Sequence, residues 1–387
     1  MTDPVQQPTE RQLHRIFVSA GEVSGDMHAA GVVEALLTRF PAAKVSGIAG
    51  PAMQRAGCEV LQPMGSLNVM GLGDVLKALP RIRRIEREIL DWCEKNRPEV
   101  AILVDFPGFH MRLGRKLRDM GIPVLQYIAP KLWAWGAWRA SKLARSQDRL
   151  ACIFPFETEW FAGRGIATEY VGNPSAYACR SGWSNGELKA RLGLPEQTPL
   201  LALLPGSRKS ELAVHVPLLA EAWLRVRQQM PQARCMVTLA PGVQPADVQP
   251  LVDAGALLLE RNSEGYALRA DAAIAVSGTA TLELALWDVP TVLVYRSSPV
   301  WMFLARKLVR LNCAGLANIL LGDRPVMPEL IQADCTVERM VDEVMPLLRD
   351  EAAAAQQKSA FARLREMLGG GDPAESVAEL ATGLACH

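Results

Sequence analysis

Two doubly wound α/β domains in tandem are the architecture that this 387-residue chain predicts. The length exceeds the usual size of one hydrophobic core. Short continuous apolar runs alternate with amphipathic stretches almost from end to end, and this alternation stops and restarts across a turn-rich stretch at residues 171–199. Continuous apolar runs read as strands buried on both faces of a parallel sheet, with the amphipathic stretches as the covering helices.

In the first half, strands are expected at 15–20, 44–48, 99–105, 123–128 and 148–154, with helices over HAAGVVEALLTRF and MRLGRKLRDMG. A second series begins near residue 200 with LLALLPG, followed by ARCMVTLA, ALLLE, DAAIAVSG and TVLVYR. The Gly, Pro, Ser and Asn content of 171–199 marks the boundary. The expected domains are 1–172, 173–350 and a helical segment 351–387, broken by GGGDP at 369–373. Open parallel sheets bind ligands at the carboxyl ends of their strands. Two Rossmann-like domains facing a central cleft are therefore expected, with the chemistry immediately after the strands.

Hydrophobic residues make up 49% and charged residues 21%, and the net charge of +1 supplies no global field toward nucleic acid. The eight cysteines are scattered without a C-x-x-C pair, several inside apolar runs, as reduced buried thiols are. No Cys/His cluster has ligand spacing, so no metal is expected. The polar N-terminus lacks the apolar core of a signal peptide. No window holds about 18 uninterrupted apolar residues. A cytosolic chain without a membrane-spanning helix is expected.

The first strand runs into AGEVSGDMHAAG, residues 20–31. This is not G-x-G-x-x-G, which disfavours a nicotinamide site. Glu22, Ser24 and Asp26 crowd hydrogen-bonding capacity into the turn. Ser24 and Asp26 read equally well as caps of the following helix. The third expected strand ends in VDFPGFH and places Asp105 at the sheet edge. A carboxylate there can take a proton from a hydroxyl, or can anchor its own turn. In APKLWAWGAWRASK, Trp133, Trp135 and Trp138 can stack on sugars or acyl chains or fill a core, and Lys131 and Arg139 can meet phosphate.

In the second half, LLPGSRKSEL places Gly206, Ser207 and Arg208 at a helix start, a geometry that suits a diphosphate. VSGTATLELALW places Ser277, Gly278, Thr279 and Thr281 at the next one, with Glu283 in reach of a ribose. Together the two turns point to a nucleotide diphosphate, and no Walker lysine pattern is present. Residues 69–90 interleave Val75, Leu76, Leu79 and Ile82 with Lys77, Arg81, Arg83, Arg84 and Arg87. That pattern fits an interfacial helix, and fits better a surface helix packed on its own sheet.

Taken in order, AGEVSGDMHAAG, GIAGPAMQRAGCE, VMGLGDVL, VDFPGFH, YIAPKLWAW, LLPGSRKSE, SGTATLE and LANILLG resemble the lipid-A-disaccharide synthase family over residues 15–335. The resemblance implies a GT-B-type inverting glycosyltransferase without a cofactor. Its substrates would be UDP-2,3-diacylglucosamine and 2,3-diacylglucosamine 1-phosphate, joined through a β-1,6 linkage with release of UDP. It also implies attachment to an anionic membrane, at the cytoplasmic face of the inner membrane. A homodimer is implied too, with the C-terminal segment exchanged or packed back on the first domain. By position, Asp105 matches the general base and Arg208 the residue meeting the diphosphate. Gly206, Ser207, Ser277, Gly278, Thr279, Glu283 and Asn318 match donor-side positions. Val75, Leu76, Leu79 and Ile82, with Arg83, Arg84, Trp133 and Trp135, match the acceptor and membrane side.

Three positions depart from the family pattern. Where it reads D-x-P-D-F-N, this chain has Gly108 at the second acid and His110 at the asparagine, and Asn173 replaces the histidine of V/I-G-H-P. His110 reads here as a satisfied surface histidine in preference to a compensating partner. A UDP-sugar epimerase of the same architecture and a non-catalytic nucleotide-sugar or lipid-binding homologue are the competing readings.

Overall fold

The computed structural model describes residues 12–67, 72–180, 184–240, 242–260, 268–297, 313–322 and 325–386. The side chains of 72–77, Val75 and Leu76 among them, lie outside the described residues. The chain forms two compact units, Met1–Pro174 with Gly370–His387, and Ser175–Gly369.

The first unit is built on a parallel sheet of seven strands. They are β1 (Arg15–Ala20), β2 (Lys44–Ala49), β3 (Glu59–Pro63), β4 (Val100–Val104), β5 (Val124–Tyr127), β6 (Arg149–Cys152) and β7 (Thr168–Tyr170), in the order β3-β2-β1-β4-β5-β6-β7. β4, VAILV, is buried at every residue, as its unbroken apolar run requires. β3 and β7 form the two edges, half-buried and short, and so present no apolar run to read in the sequence. The order reverses between β1 and β4. Ligand sites of open α/β sheets lie outside the carboxyl ends at such a reversal.

Four helices of this unit bear on the site: α1 (Val23–Arg39), α2 (Pro51–Arg55), α3 (Leu72–Asn96) and α4 (Pro107–Asp119). α3 packs Ile85, Ile89 and Cys93 into the core, and Ile82 lies against the same cluster. Ile82 thus belongs to the sheet-facing stripe and not to the membrane face expected of it. Arg83 and Arg84 are exposed, and Leu79 is half-buried. Buried Glu86 of α3 meets two cations of α4, Arg112 Nε and Lys116 Nζ, each at 2.8 Å. A carboxylate so enclosed needs such partners, and these tie α3 to the helix that begins beside Asp105. The helix Pro373–Ala385 packs on α1, while Glu351–Met367 belongs to the second unit. The segment 351–387 is therefore divided between the units.

The second unit holds six parallel strands, β8 (Leu200–Leu204), β9 (Arg234–Leu239), β10 (Leu257–Glu260), β11 (Ala272–Val276), β12 (Thr291–Tyr295) and β13 (Glu329–Ile331). Their order is β10-β9-β8-β11-β12-β13. β8 and β11, buried throughout, lie at its centre, and the two nucleotide-type turns follow them directly. No helix among the described residues is long and apolar enough to cross a membrane.

Candidate active site

Backbone strain concentrates where β4 and β5 end. Six non-glycine residues among those described have left-handed φ, and three of them are Asp105 (φ 51°), Phe106 (φ 49°) and Ile128 (φ 69°). Each such residue costs about 1–3 kcal/mol and persists only where its surroundings over-determine it. Here they do. Asp105 donates its N–H to the Tyr127 carbonyl at 2.8 Å, and Ile128 donates to Ala151 at 3.0 Å. The Asp105 carbonyl accepts from His110 Nδ1 at 2.7 Å and from Gln126 Nε2 at 3.2 Å. Pro107, whose fixed φ suits a first helical position, then opens α4.

Gly21 explains the opening of the first loop. A methyl group there would overlap the Phe106 ring, so the turn after β1 and the turn after β4 accommodate each other. Glu22 and Ser24 are exposed beside it. Asp26 is not, and its place among the cleft residues is corrected. It is buried, and its carboxylate accepts the N–H groups of Gly50, Ala52 and Met53 at 2.8, 2.9 and 3.2 Å. The sequence reading allowed Asp26 to cap its own helix. Instead it reaches sideways from α1 and caps α2.

His110 is likewise corrected. It is fully buried, bridging Ser19 Oγ (2.9 Å) and the Asp105 carbonyl, with its ring edge-on to Phe106. Burial lowers its pKa to about 4, so it is neutral at working pH. The carbonyl can only accept, which puts the proton on Nδ1 and leaves Nε2 to accept from Ser19.

The Asp105 carboxyl is half-buried, and that burial raises its pKa above the usual carboxylate value. The Phe106 N–H and the positive charge of Lys131 pull it back down. A second carboxyl that the sequence reading missed shares Lys131. Glu157, in the helix Pro155–Ala162, is buried and accepts from Trp133 Nε1 at 3.0 Å and from the Phe154 N–H at 3.3 Å. Burial raises its pKa to about 7 against these bonds and Lys131. Trp133 is therefore a half-buried donor, edge-on to Phe156. Trp135 and Trp138 are 47% and 71% exposed, which rules out core filling for either. Asn173 donates to the Ile153 carbonyl at 3.1 Å.

In the second unit, Gly206 (φ 108°) turns the chain after β8, and the helix Lys209–Gln229 follows. Ser207 and Arg208 are exposed. Their N–H groups point at Glu211 Oε2, at 3.1 and 3.3 Å, and Arg208 Nη1 lies 3.2 Å from Oε1. An internal carboxylate thus occupies the donors that suit an anion, the acidic half of a capping box, since Arg208 at the cap position has no acceptor to return. His215 steadies this turn, with Nδ1 toward the Glu211 carbonyl (2.8 Å) and Nε2 accepting from Arg296 N (2.9 Å).

After β11, Gly278 and Thr279 are exposed, and Thr281 closes the turn on the Gly278 carbonyl at 2.8 Å. The Ser277 hydroxyl donates to Ala314 at 3.1 Å, and Glu283 sits half-buried in the helix Thr279–Leu286, one residue beyond its first turn. Asn318 needs correction as a direct ligand of the donor. It is buried, its amide donates to Met327 O and Glu329 Oε1, and its oxygen accepts from Val326 and Met327. All its capacity goes into holding the backbone at Val326 and Met327 and the Glu329 carboxylate. Glu329, also unforeseen, holds the Ala314 and Gly315 N–H groups at 2.8 and 2.9 Å. Among the described residues, no group of three His, Cys, Asp or Glu side chains is arranged to hold a metal ion.

The family described as Lipid-A-disaccharide synthetase matches residues 16–376, a span that includes both sets of turns. The chain belongs to this family. Membership makes it a glycosyltransferase. It is 39% identical over 363 residues to the lipid-A-disaccharide synthase of Anaeromyxobacter sp. (strain K), covering 93% of this chain and 94% of that one. The corresponding Geobacter sulfurreducens synthase is 36% identical over 373 residues, covering 96% and 97%. Among solved structures, the kitacinnamycin glycotransferase aligns with a TM-score of 0.61 at 15% identity, covering 97% of this chain and 100% of that one. The Neisseria meningitidis UDP-GlcNAc 2-epimerase aligns with a TM-score of 0.58 at 11% identity, covering 96% of this chain and 98% of that one. At these identities the structures establish the GT-B fold alone, and the fold does not choose between transfer and epimerisation. The family match chooses transfer.

Two outcomes follow from the site's electrostatics. Lys131→Met removes a charge that favours ionised Asp105, so the acid limb of a kcat/KM–pH profile is expected to move to higher pH; an unmoved limb would refute the coupling. Glu157, raised from 4.5 to about 7, contributes stability that is fully present below 4.5 and lost as pH rises through about 7. Relative to Glu157→Gln, the parent is expected to lose about 3 kcal/mol between pH 4.5 and 7.5 in denaturant melts. Parallel stability curves would contradict this.

Proposed function

We propose that the chain condenses UDP-2,3-diacylglucosamine with 2,3-diacylglucosamine 1-phosphate, and that Asp105 is the general base. The acceptor's 6-hydroxyl attacks the anomeric carbon as its proton passes to the Asp105 carboxylate. The bond from that carbon to the diphosphate breaks in the same displacement, its electron pair leaving on UDP, so the configuration inverts without an enzyme nucleophile. Support comes chiefly from one observation: the family match spans a carboxyl group that over-determined backbone strain presents at the end of β4.

In this reading the Ser207 and Arg208 N–H groups and the Arg208 guanidinium pass from Glu211 to the diphosphate. Fixed donors of this kind stabilise the departing charge. Gly278 and Thr279 leave the second turn open to the nucleotide. Leu79 with exposed Arg83, Arg84 and Arg87 supports docking on an anionic membrane surface, to which Trp135 and Trp138 add exposed aromatic area. A homodimer and a place at the cytoplasmic face of the inner membrane complete the proposal.

Asp105→Ala and Arg208→Ala are expected to fail in opposite ways. The first should lower kcat by about 10²–10⁴-fold, the usual contribution of a general base, with UDP affinity unchanged. The second should weaken UDP binding by roughly 10–100-fold, as loss of a charge-assisted bond does. Parental turnover in Asp105→Ala would remove the base assignment. For the membrane, Leu76→Glu with Leu79→Glu should reduce flotation with anionic liposomes, and equal flotation of variant and parent would return α3 to an ordinary surface helix.

A further inference from the structure

We infer that His110 is a positioning residue for the reaction: a neutral, buried bolt that holds Asp105 in its left-handed turn and thereby aims the carboxylate. The inference rests on the base role proposed for Asp105. Three hydrogen bonds carry it. Ser19 Oγ meets His110 Nε2 at 2.9 Å, His110 Nδ1 meets the Asp105 carbonyl at 2.7 Å, and Gln126 Nε2 adds a second donor to that carbonyl at 3.2 Å. Ser19 lies in β1 and His110 in the first turns of α4, so the bolt joins the two strands that flank the reversal of sheet order.

The reason a bolt is needed lies in the backbone. Asp105 and Phe106 are consecutive non-glycine residues in the left-handed region, a conformation such residues rarely adopt in succession. The Asp105 N–H is anchored to Tyr127, which fixes the peptide group before the residue. The carbonyl on the other side turns with ψ, and only donors to it hold that rotation. His110 supplies the shorter of the two bonds. It also presses edge-on against Phe106 with ring centroids 5.9 Å apart, while Gly21 leaves room for that ring on its other flank. Release of the carbonyl would let the pair relax and swing the carboxylate away from the Phe106 N–H it accepts from.

Two polar substitutions separate this role from bulk packing. Asparagine places its amide nitrogen where Nδ1 stands, so His110→Asn keeps the donor to Asp105. Glutamine places its nitrogen where Nε2 stands, so His110→Gln keeps a polar group facing Ser19 and loses that donor. With UDP-2,3-diacylglucosamine and acceptor as substrates, His110→Gln is expected to lose about a hundredfold in kcat, the cost of a misplacement of about 1 Å. UDP affinity and the thermal midpoint should stay near the parent's, and the acid limb should move to higher pH as the Phe106 bond to the carboxylate weakens. His110→Asn should keep turnover within about tenfold of the parent, since a single neutral hydrogen bond is worth about 1 kcal/mol. In an Asp105→Ala background, His110→Gln should cost nothing further, because the bolt acts only through Asp105.

Three results would overturn the inference: turnover of His110→Gln within threefold of the parent while Asp105→Ala is inactive, an equal loss in both His110 variants with an unmoved pH profile, or a further full loss in the double variant. Full activity of Asp105→Ala is a different result, and defeats the base assignment itself.

Discussion

The first unit's site depends on a carbonyl, not on a side chain. Where β4 ends, the chain takes two left-handed steps at Asp105 and Phe106, and each costs free energy that packing elsewhere must offset. The offset is visible around the Asp105 backbone, whose N–H is taken by Tyr127 and whose carbonyl is taken by His110 and Gln126. Without those bonds the carboxyl group would sit on an ordinary loop and sample many directions. With them, its direction is set by two strands and a helix. Gly21 belongs to the same constraint, because only a residue without Cβ tolerates the Phe106 ring.

The second unit uses polar side chains differently. Glu329 and Asn318 hold the backbone at Ala314, Gly315 and Met327 beside the turn that Ser277 opens, and Thr281 closes that turn from inside. These groups hold backbone and leave Gly278 and Thr279 exposed. Glu211 goes a step further, since it occupies the N–H groups and the guanidinium that an anion would want. A carboxylate in that place keeps the helix start satisfied and preformed. Under the proposed function an incoming diphosphate, with more negative charge and more acceptor oxygens, competes for the same donors on favourable terms. Preformed donors cost no reorganisation when charge develops on the leaving group.

What the sequence revealed, and what it hid, divides along local and non-local lines. VAILV, LLALL and AAIAV announce central strands because burial on both faces leaves no polar position. The edge strands EVLQP and TEY carry no such signature. Asp105 was legible because a carboxylate directly after a buried run has few reasons to be there. Asp26 and Asn318 misled for the opposite reason: residue types that bind ligands also cap helices and shape loops, and only contacts distant in sequence decide between the two. The Trp133–Glu157 bond spans 24 residues and the Ser19–His110 bond 91, so neither leaves a local pattern. Glu211 left only half of one, because R-K-S-E carries the acid of a capping box three residues after an arginine where the signature has Ser or Thr.

Neutrality at position 110 solves a problem that a charged bolt would create. In the proposed reaction Asp105, as general base, must be ionised beforehand, and burial already works against that. An imidazolium beside it would favour the carboxylate, but would also weaken its hold on a proton in the transition state and would be costly inside a fully buried pocket. Burial lowers the pKa of His110 to about 4, so the ring supplies geometry and almost no field. The charge that favours the ionised form of Asp105 comes instead from Lys131, which retains contact with water and is shared with Glu157. Because Glu157 gains and loses its proton near pH 7, its claim on Lys131 is partial at neutrality. In the proposed reaction His110 therefore sets the direction of the base without adding charge, Lys131 supplies the field, and a change of direction reaches ionisation only through the Phe106 N–H.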